Sequence, residues 1–261
     1  MWSIAMDANV DEFAARVRAD ENLRGGFNAF GLSQGSNVIR GYIQRYNDPP
    51  VVSFLSISSP ISGVAAFPYC APDAPLIGVI CQLLAEVLGE LAYLPLFQSF
   101  LFQANYYRDP TQLQSANYRL NSQLAQWNNE GATVNATLRA NFLRTSQVIT
   151  ATALQVINAS GRLLQAATHI ERAQDEVVWP IVSQEWGAPA PNSWTDIQTM
   201  RETAWWRDDL FGLRTMDGEG RLSFEEFEGG HLGFTTPQFL EWLDRYFREA
   251  PGVGPTAQPA H

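Results

Sequence analysis

Apolar positions near the start of the chain recur three and four residues apart, with Val10, Phe13 and Val17 on one face and Gly25-Gly26 after them. This spacing predicts a helix over residues 9–24 with Asn9 as its cap. The pattern then changes period. Residues 27–32 form a short apolar run of strand length, and Val38, Ile39 and Ile43 restore helical spacing over 36–46. Asp48-Pro49-Pro50 breaks the chain before a β-branched run at 51–57. Strand, turn, helix and strand make a βαβ unit, so the sheet is expected to be parallel and the fold α/β.

Residues 64–130 are apolar and helical in pattern, whereas 134–176 repeat alanine, threonine and leucine with no strand to be placed. Alternation returns at 221–228 around Leu222 and Phe224 and predicts a strand. A last helix is expected over 239–247, and the Pro/Gly-rich residues 250–261 read as a frayed tail. The chain is thus expected to form one domain over 1–249.

Composition narrows the class. Of 261 residues, 46% are apolar and 17% charged, as in a globular protein. The net charge of −10 argues against a nucleic-acid partner. Residues 76–102 are long enough to span a bilayer, but Glu86, Glu90 and Pro95 interrupt them, so no transmembrane segment is expected. The first residues lack the basic and apolar runs of a signal peptide. Cys70 and Cys81 do not have zinc spacing, no metal or cofactor is implied, and one short-loop disulfide is open to them. Sequons at Asn135 and Asn158 point toward a secretory compartment.

The chemistry starts at Gly31-Leu32-Ser33-Gln34-Gly35, a G-x-S-x-G pattern between the predicted strand and helix. A sharp turn there is expected to leave no room for Cβ atoms beside the serine. A serine nucleophile needs a base, which a carboxylate orients. Of three histidines, His261 ends the tail, His169 lies in the unpatterned stretch, and His231 follows the predicted strand in a Glu-Gly-Gly-His loop. His231 is therefore the candidate base. Asp175, before the apolar turn 177–180, is the candidate acid, and Asp208 and Asp209 are expected on a solvated helix face.

Residues 215–227 imitate a calcium-binding loop, with Gly220 at its obligatory glycine, Asp217 and Glu219 as ligands and Glu226 at the last position. Thr215 occupies the first ligand position, and a hairpin turn accounts for the segment without metal.

With these residues in the order Ser, Asp, His, the chain resembles the palmitoyl-protein thioesterase family, lysosomal α/β-hydrolases. The segments that carry the likeness are FNAFGLSQGSNVIRGYIQR, QANYYRDP, YRLNSQLAQWNNE, QDEVVWPIVSQEWG and FGLRTMDGEGRLSFEEFEGGHLGF. The last runs through the calcium-like loop without a gap.

The resemblance implies Ser33 as acyl-accepting nucleophile, His231 as its base, Asp175 as the orienting carboxylate and the Gln34 backbone N–H as one oxyanion donor. It implies a Cys70–Cys81 disulfide, glycosylation at Asn135, and a helical lid over about 64–130. Leu84, Val87, Leu88, Leu91, Phe97, Phe100 and Leu101 are its candidate acyl-groove residues.

The implied function is cleavage of long-chain acyl thioesters from S-palmitoylated proteins or peptides in a lysosomal or secretory compartment, with palmitoyl-coenzyme A as a surrogate substrate. The family's His-Gly loop, which supplies the second oxyanion donor, has no counterpart here, because no His-Gly dipeptide occurs. The expected fold is therefore a partial α/β-hydrolase lacking N-terminal strands, with an insertion near 151–170. An impaired protein that binds acyl chains or a partner, and a lipase or carboxylesterase, are the alternatives.

Overall fold

The computed structural model describes residues 5–66, 89, 91–153, 175 and 177–248. The chain enters through helix α1 (Met6–Ala19), which buries Met6, Val10, Ala14 and Val17. The helix starts earlier than the apolar spacing predicts, so Asn9 lies within its first turn and bonds back to the Ala5 carbonyl. Strand β1 (Phe27–Leu32), helix α2 (Gly35–Arg45) and strand β2 (Val51–Ile57) follow as the βαβ unit. Short helices α3 (Pro95–Phe100), α4 (Phe102–Asn105), α5 (Ala116–Asn121), α6 (Gln123–Trp127) and α7 (Ala136–Phe142) lead to strand β3 (Gln147–Ala153). The two-residue strands β4 (Ala188–Pro189) and β5 (Ile197–Gln198) pair antiparallel. Helices α8 (Ala204–Arg207) and α9 (Leu213–Gly218), strand β6 (Leu222–Phe227) and helix α10 (Thr236–Leu243) complete the order.

The main sheet is parallel, ordered β1-β2-β3-β6. Its register explains the two cores. Ala29, Phe54, Val148 and Leu222 lie abreast and pack with α1 and α2, whereas Leu55 and Ile149 face the other way, toward Trp242 and Phe239 of α10. A strand buried on both faces loses its alternation. That is why residues 147–153 carried no strand signal: Gln-Val-Ile-Thr-Ala-Thr-Ala is buried at every position after the first. Ala151–Ala153 thus belong to the strand and not to an insertion; residues 154–174 lie outside the description.

Residues 215–227 also differ from the hairpin expected. They form the end of α9 and then β6, parallel to β3, and the Asp217 carboxylate is taken by Arg201 at 3.0 Å and by the Trp206 indole at 3.0 Å. Asp209 is not solvated: it is buried and bonds Arg139 and Thr215, while Asp208 is exposed. The last helix starts at Thr236 and ends in a wider turn, Asp244–Arg248. No helix of the described residues is long and apolar enough to cross a membrane.

Two buried cations converge on the segment that follows α6, Arg40 from α2 and Arg108 from the chain beyond α4. The Arg40 guanidinium bonds Asn128 Oδ1 at 2.7 Å and the Trp127 carbonyl, between the rings of Trp186 and Phe211. Burial lowers its pKa to about 9, which still leaves it charged at neutral pH. Arg108 pairs with Glu130 at 2.7 Å, and Tyr118 and Asn128 donate to the same carboxylate. Burial alone would raise the Glu130 pKa, but the Arg108 charge and these hydrogen bonds hold it below its ordinary value of 4.5.

A carboxylate with a depressed folded pKa stabilises the fold above its unfolded value and loses that contribution as pH falls through the folded one. Glu130→Gln, which strands the Arg108 charge, should cost about 3–5 kcal/mol in urea unfolding at pH 7. The gap from the parent protein should narrow below roughly pH 4. An equal gap at both pH values would contradict this account.

Candidate active site

Ser33 sits where β1 ends and α2 begins, at a left-handed φ of 49° that a non-glycine residue adopts only under constraint. The turn is so tight that a Cβ on Gly31 would lie 2.5 Å from the Ser36 Cα. Gly35 is different: a Cβ there meets nothing within 4 Å. Only the first glycine of the pattern is demanded by space, which corrects the expectation for both. The turn is tied to β2 by the Ser33 N–H, which donates to the Ile57 carbonyl at 2.9 Å. The Gln34 N–H, next along the chain, points to no acceptor among the described residues.

Ser33, His231 and Asp175, far apart in sequence, meet beyond the carboxyl ends of the strands. Ser33 Oγ lies 2.9 Å from His231 Nε2, and His231 Nδ1 lies 2.8 Å from Asp175 Oδ2. A carboxylate only accepts, so Nδ1 carries the ring proton and Nε2 is left to accept from the serine hydroxyl. The Asp175 side chain is fully buried, and that of His231 is 17% exposed. Asp175 is well supplied with donors: Oδ1 accepts from the Val177 and Val178 N–H groups at 2.9 and 3.1 Å, and Oδ2 accepts from Gln184 Nε2 at 2.6 Å. The His231 loop follows β6 and folds back on itself. Gly229 has φ 128°, and a Cβ on Gly233 would lie 2.8 Å from the Gly229 Cα.

Sequence reasoning missed Gln184, in the 3-10 turn Ile181–Glu185, because a lone glutamine carries no motif. Of the lid candidates, Leu91, Phe97 and Leu101 are half-buried and Phe100 is exposed, while Leu84, Val87 and Leu88 lie outside the described residues. So do Cys70, Cys81 and Asn158. Asn135 is exposed and caps α7 by accepting from the Thr137 N–H at 3.0 Å. Among the described residues no three His, Cys, Asp or Glu side chains gather as a metal site.

A parallel sheet that delivers a serine on its strand-to-helix turn, with a histidine after a later strand, defines the α/β-hydrolase class. Within that class, the family model for palmitoyl protein thioesterase matches residues 1–156 and 157–231, and the chain belongs to this family. Palmitoyl-protein thioesterase 1 of Caenorhabditis elegans is 29% identical over 83% of this chain and 64% of its own length. Palmitoyl-protein thioesterase 3 of Dictyostelium discoideum is 29% identical over 84% of this chain and 66% of its own. Lysosomal thioesterase PPT2-B of Xenopus laevis is 25% identical over 76% and 59%. The chain spans about two thirds of the length of the curated relatives it matches.

The asymmetry between the two glycines is testable with a fluorophosphonate probe that labels an activated serine. Gly31→Ala should slow labelling of Ser33 by about 10²-fold, the cost of a displacement near 1 Å. Gly35→Ala should label at the parent rate. Equal rates for both variants would show that the close approach does not position Ser33.

Proposed function

We propose that this chain hydrolyses long-chain fatty acyl thioesters, taking the acyl group from S-palmitoylated cysteines of proteins or peptides. The observation that carries the proposal is the unbroken line from Ser33 Oγ through both nitrogens of His231 to the buried Asp175. The relatives' names supply the substrate class.

In this mechanism Ser33 Oγ attacks the thioester carbonyl as His231 Nε2 takes its proton. The Gln34 N–H, at the head of α2, donates to the oxyanion that forms. The C–S bond then breaks, and His231 returns the proton to the departing thiolate, leaving acyl-Ser33 and a free cysteine thiol. Water, activated by the same imidazole, attacks the acyl-enzyme, and collapse of the second oxyanion releases the fatty acid and restores Ser33. Throughout, Asp175 stays ionised and stabilises the imidazolium. The acyl chain is assigned to the lid along Leu91, Phe97 and Leu101, and the setting is lysosomal or secretory.

Purified protein should hydrolyse palmitoyl-coenzyme A. Ser33→Ala should remove about 10⁶-fold of kcat and Asp175→Ala about 10⁴-fold, by analogy with serine proteases. A parent protein no faster than Ser33→Ala defeats the proposal. Faster cleavage of a palmitoyl oxygen ester than of the thioester would reassign the substrate and leave the mechanism.

A further inference from the structure

The Asp175 carboxylate owes its orientation to a side chain outside the Ser–His–Asp line. Gln184 is 1% exposed, and its Nε2 donates at 2.6 Å to Oδ2, the oxygen that also accepts from His231 Nδ1. The assignment of its amide follows from chemistry: a carboxylate offers no proton, so Nε2 and not Oε1 must face it. Oε1 is then turned away, buried and without a hydrogen-bond partner among the described residues. A buried amide carbonyl left unbonded is costly, and an apolar residue of the same length would avoid the cost. The only polar contact of the Gln184 side chain among the described residues is the one to Asp175.

The turn carrying Gln184 is itself held from several sides. The Ser62 N–H donates to the Ser183 carbonyl at 3.2 Å and its hydroxyl to the Gly187 carbonyl at 2.5 Å, which ties the turn to the loop after β2. Trp186 closes the turn in a left-handed conformation, φ 68°, is buried against Phe142 and Phe211, and accepts on its carbonyl from the Trp205 indole at 3.0 Å. The Ser183 N–H donates to the Pro180 carbonyl, and the Gly187 N–H to that of Val182. The amide of Gln184 thus projects from rigid backbone, as a group must if it is to fix another.

We propose that Gln184 is a positioning residue for this site: by holding Oδ2 of Asp175 it fixes the plane of the carboxylate, and through it the His231 ring aimed at Ser33. The two backbone donors on Oδ1 fix one end of the carboxylate; Gln184 fixes the end that His231 uses. This rests on the hydrolase mechanism above, and three readouts separate the two.

Gln184→Met keeps the length and removes the donor. It should lower kcat for palmitoyl-coenzyme A by about 10-fold with KM unchanged, because the residue acts through Asp175 and not on substrate. Fluorophosphonate labelling of Ser33, which needs no thioester, should slow by about the same factor. The proton shared by His231 Nδ1 and Asp175 should give a downfield NMR signal in the parent protein that shifts or broadens in the variant. Gln184→Glu keeps the shape and sets a second carboxylate against Asp175, so it should label more slowly still.

Parent-like kcat, labelling and proton signal in a folded Gln184→Met would overturn the proposal. So would a change confined to KM, or a failure of both variants to fold, which would make Gln184 a folding residue. A parent protein that labels but leaves palmitoyl-coenzyme A intact defeats the substrate assignment alone. If the parent does not label, the nucleophile assignment falls and the proton signal decides the role of Gln184.

Discussion

The approach of Gly31 to Ser36 is the contact on which the rest of the site depends. A chain leaving a parallel strand and entering a helix at once must reverse within three residues, and the α2 backbone then lies against the strand it has just left. A methyl group on Gly31 would stand 2.5 Å from the Ser36 Cα, so the turn exists only because that side chain is missing. With the turn made, Ser33 is left at positive φ with its hydroxyl beyond the strand ends, and the next N–H, that of Gln34, heads α2. Strain of this kind costs on the order of 1–3 kcal/mol per residue and persists only where its surroundings over-determine it. Here the Ser33 N–H bond to Ile57 and the Asn37 side-chain bond to the Pro60 carbonyl, at 3.1 Å, clamp both sides of the turn to β2 and the loop after it.

Holding α2 in place requires anchors at its other end. Arg40 lies two turns beyond Ser33, and its guanidinium is satisfied by the Ile61 and Trp127 carbonyls and the side-chain amides of Gln44 and Asn128 rather than by a carboxylate. A planar, delocalised cation between two aromatic rings tolerates such burial better than an ammonium would. The neighbouring Arg108–Glu130 pair shares Asn128 with Arg40, since Asn128 accepts from one arginine and donates to the carboxylate of the other pair. The segments around Arg108 and Asn128 are therefore registered on α2 by directional bonds.

The sequence made some of this legible and hid the rest for physical reasons. Strands β1 and β2 matched their apolar runs because glycine and proline punctuate both ends. Ser33 and His231 were legible because each lies in a glycine-bounded loop next to a strand. Strand β3 was not: buried on both faces and built from threonine and alanine, it has neither alternation nor bulk. Asp209 reads with Asp208 as part of a solvated helix face, but it lies past the end of α8 at a left-handed φ of 52°, and its carboxylate is taken by Arg139 and Thr215. Gln184 gave no signal at all. Its role lies in one 2.6 Å bond to a residue nine positions earlier, made through a turn whose shape depends on Ser62, Trp186 and Trp205. Relationships of that kind are set by tertiary packing and have no local pattern.

The two faces of the sheet answer different demands. Toward α10, Leu55, Ile57, Ile149 and Ala151 make an apolar layer under Trp242 and Phe234. Toward α2, the row level with Gly31 runs through Ser56 and Thr150, small and polar with hydroxyls that are buried and unbonded among the described residues, and reaches an exposed Phe224 only at the far edge strand. The Ser36 hydroxyl, against Gly31, is in the same condition. Larger apolar residues in this row would gain burial energy of about 1.5–3 kcal/mol each. They would also push α2 away from β1 and open the turn. The α2 face is therefore less stable than its area allows near Ser33, and Phe54 and Val148, in the row nearer the other end of the strands, carry the apolar contact instead. Stability is concentrated below the site, and the space above it is kept for the geometry of the turn.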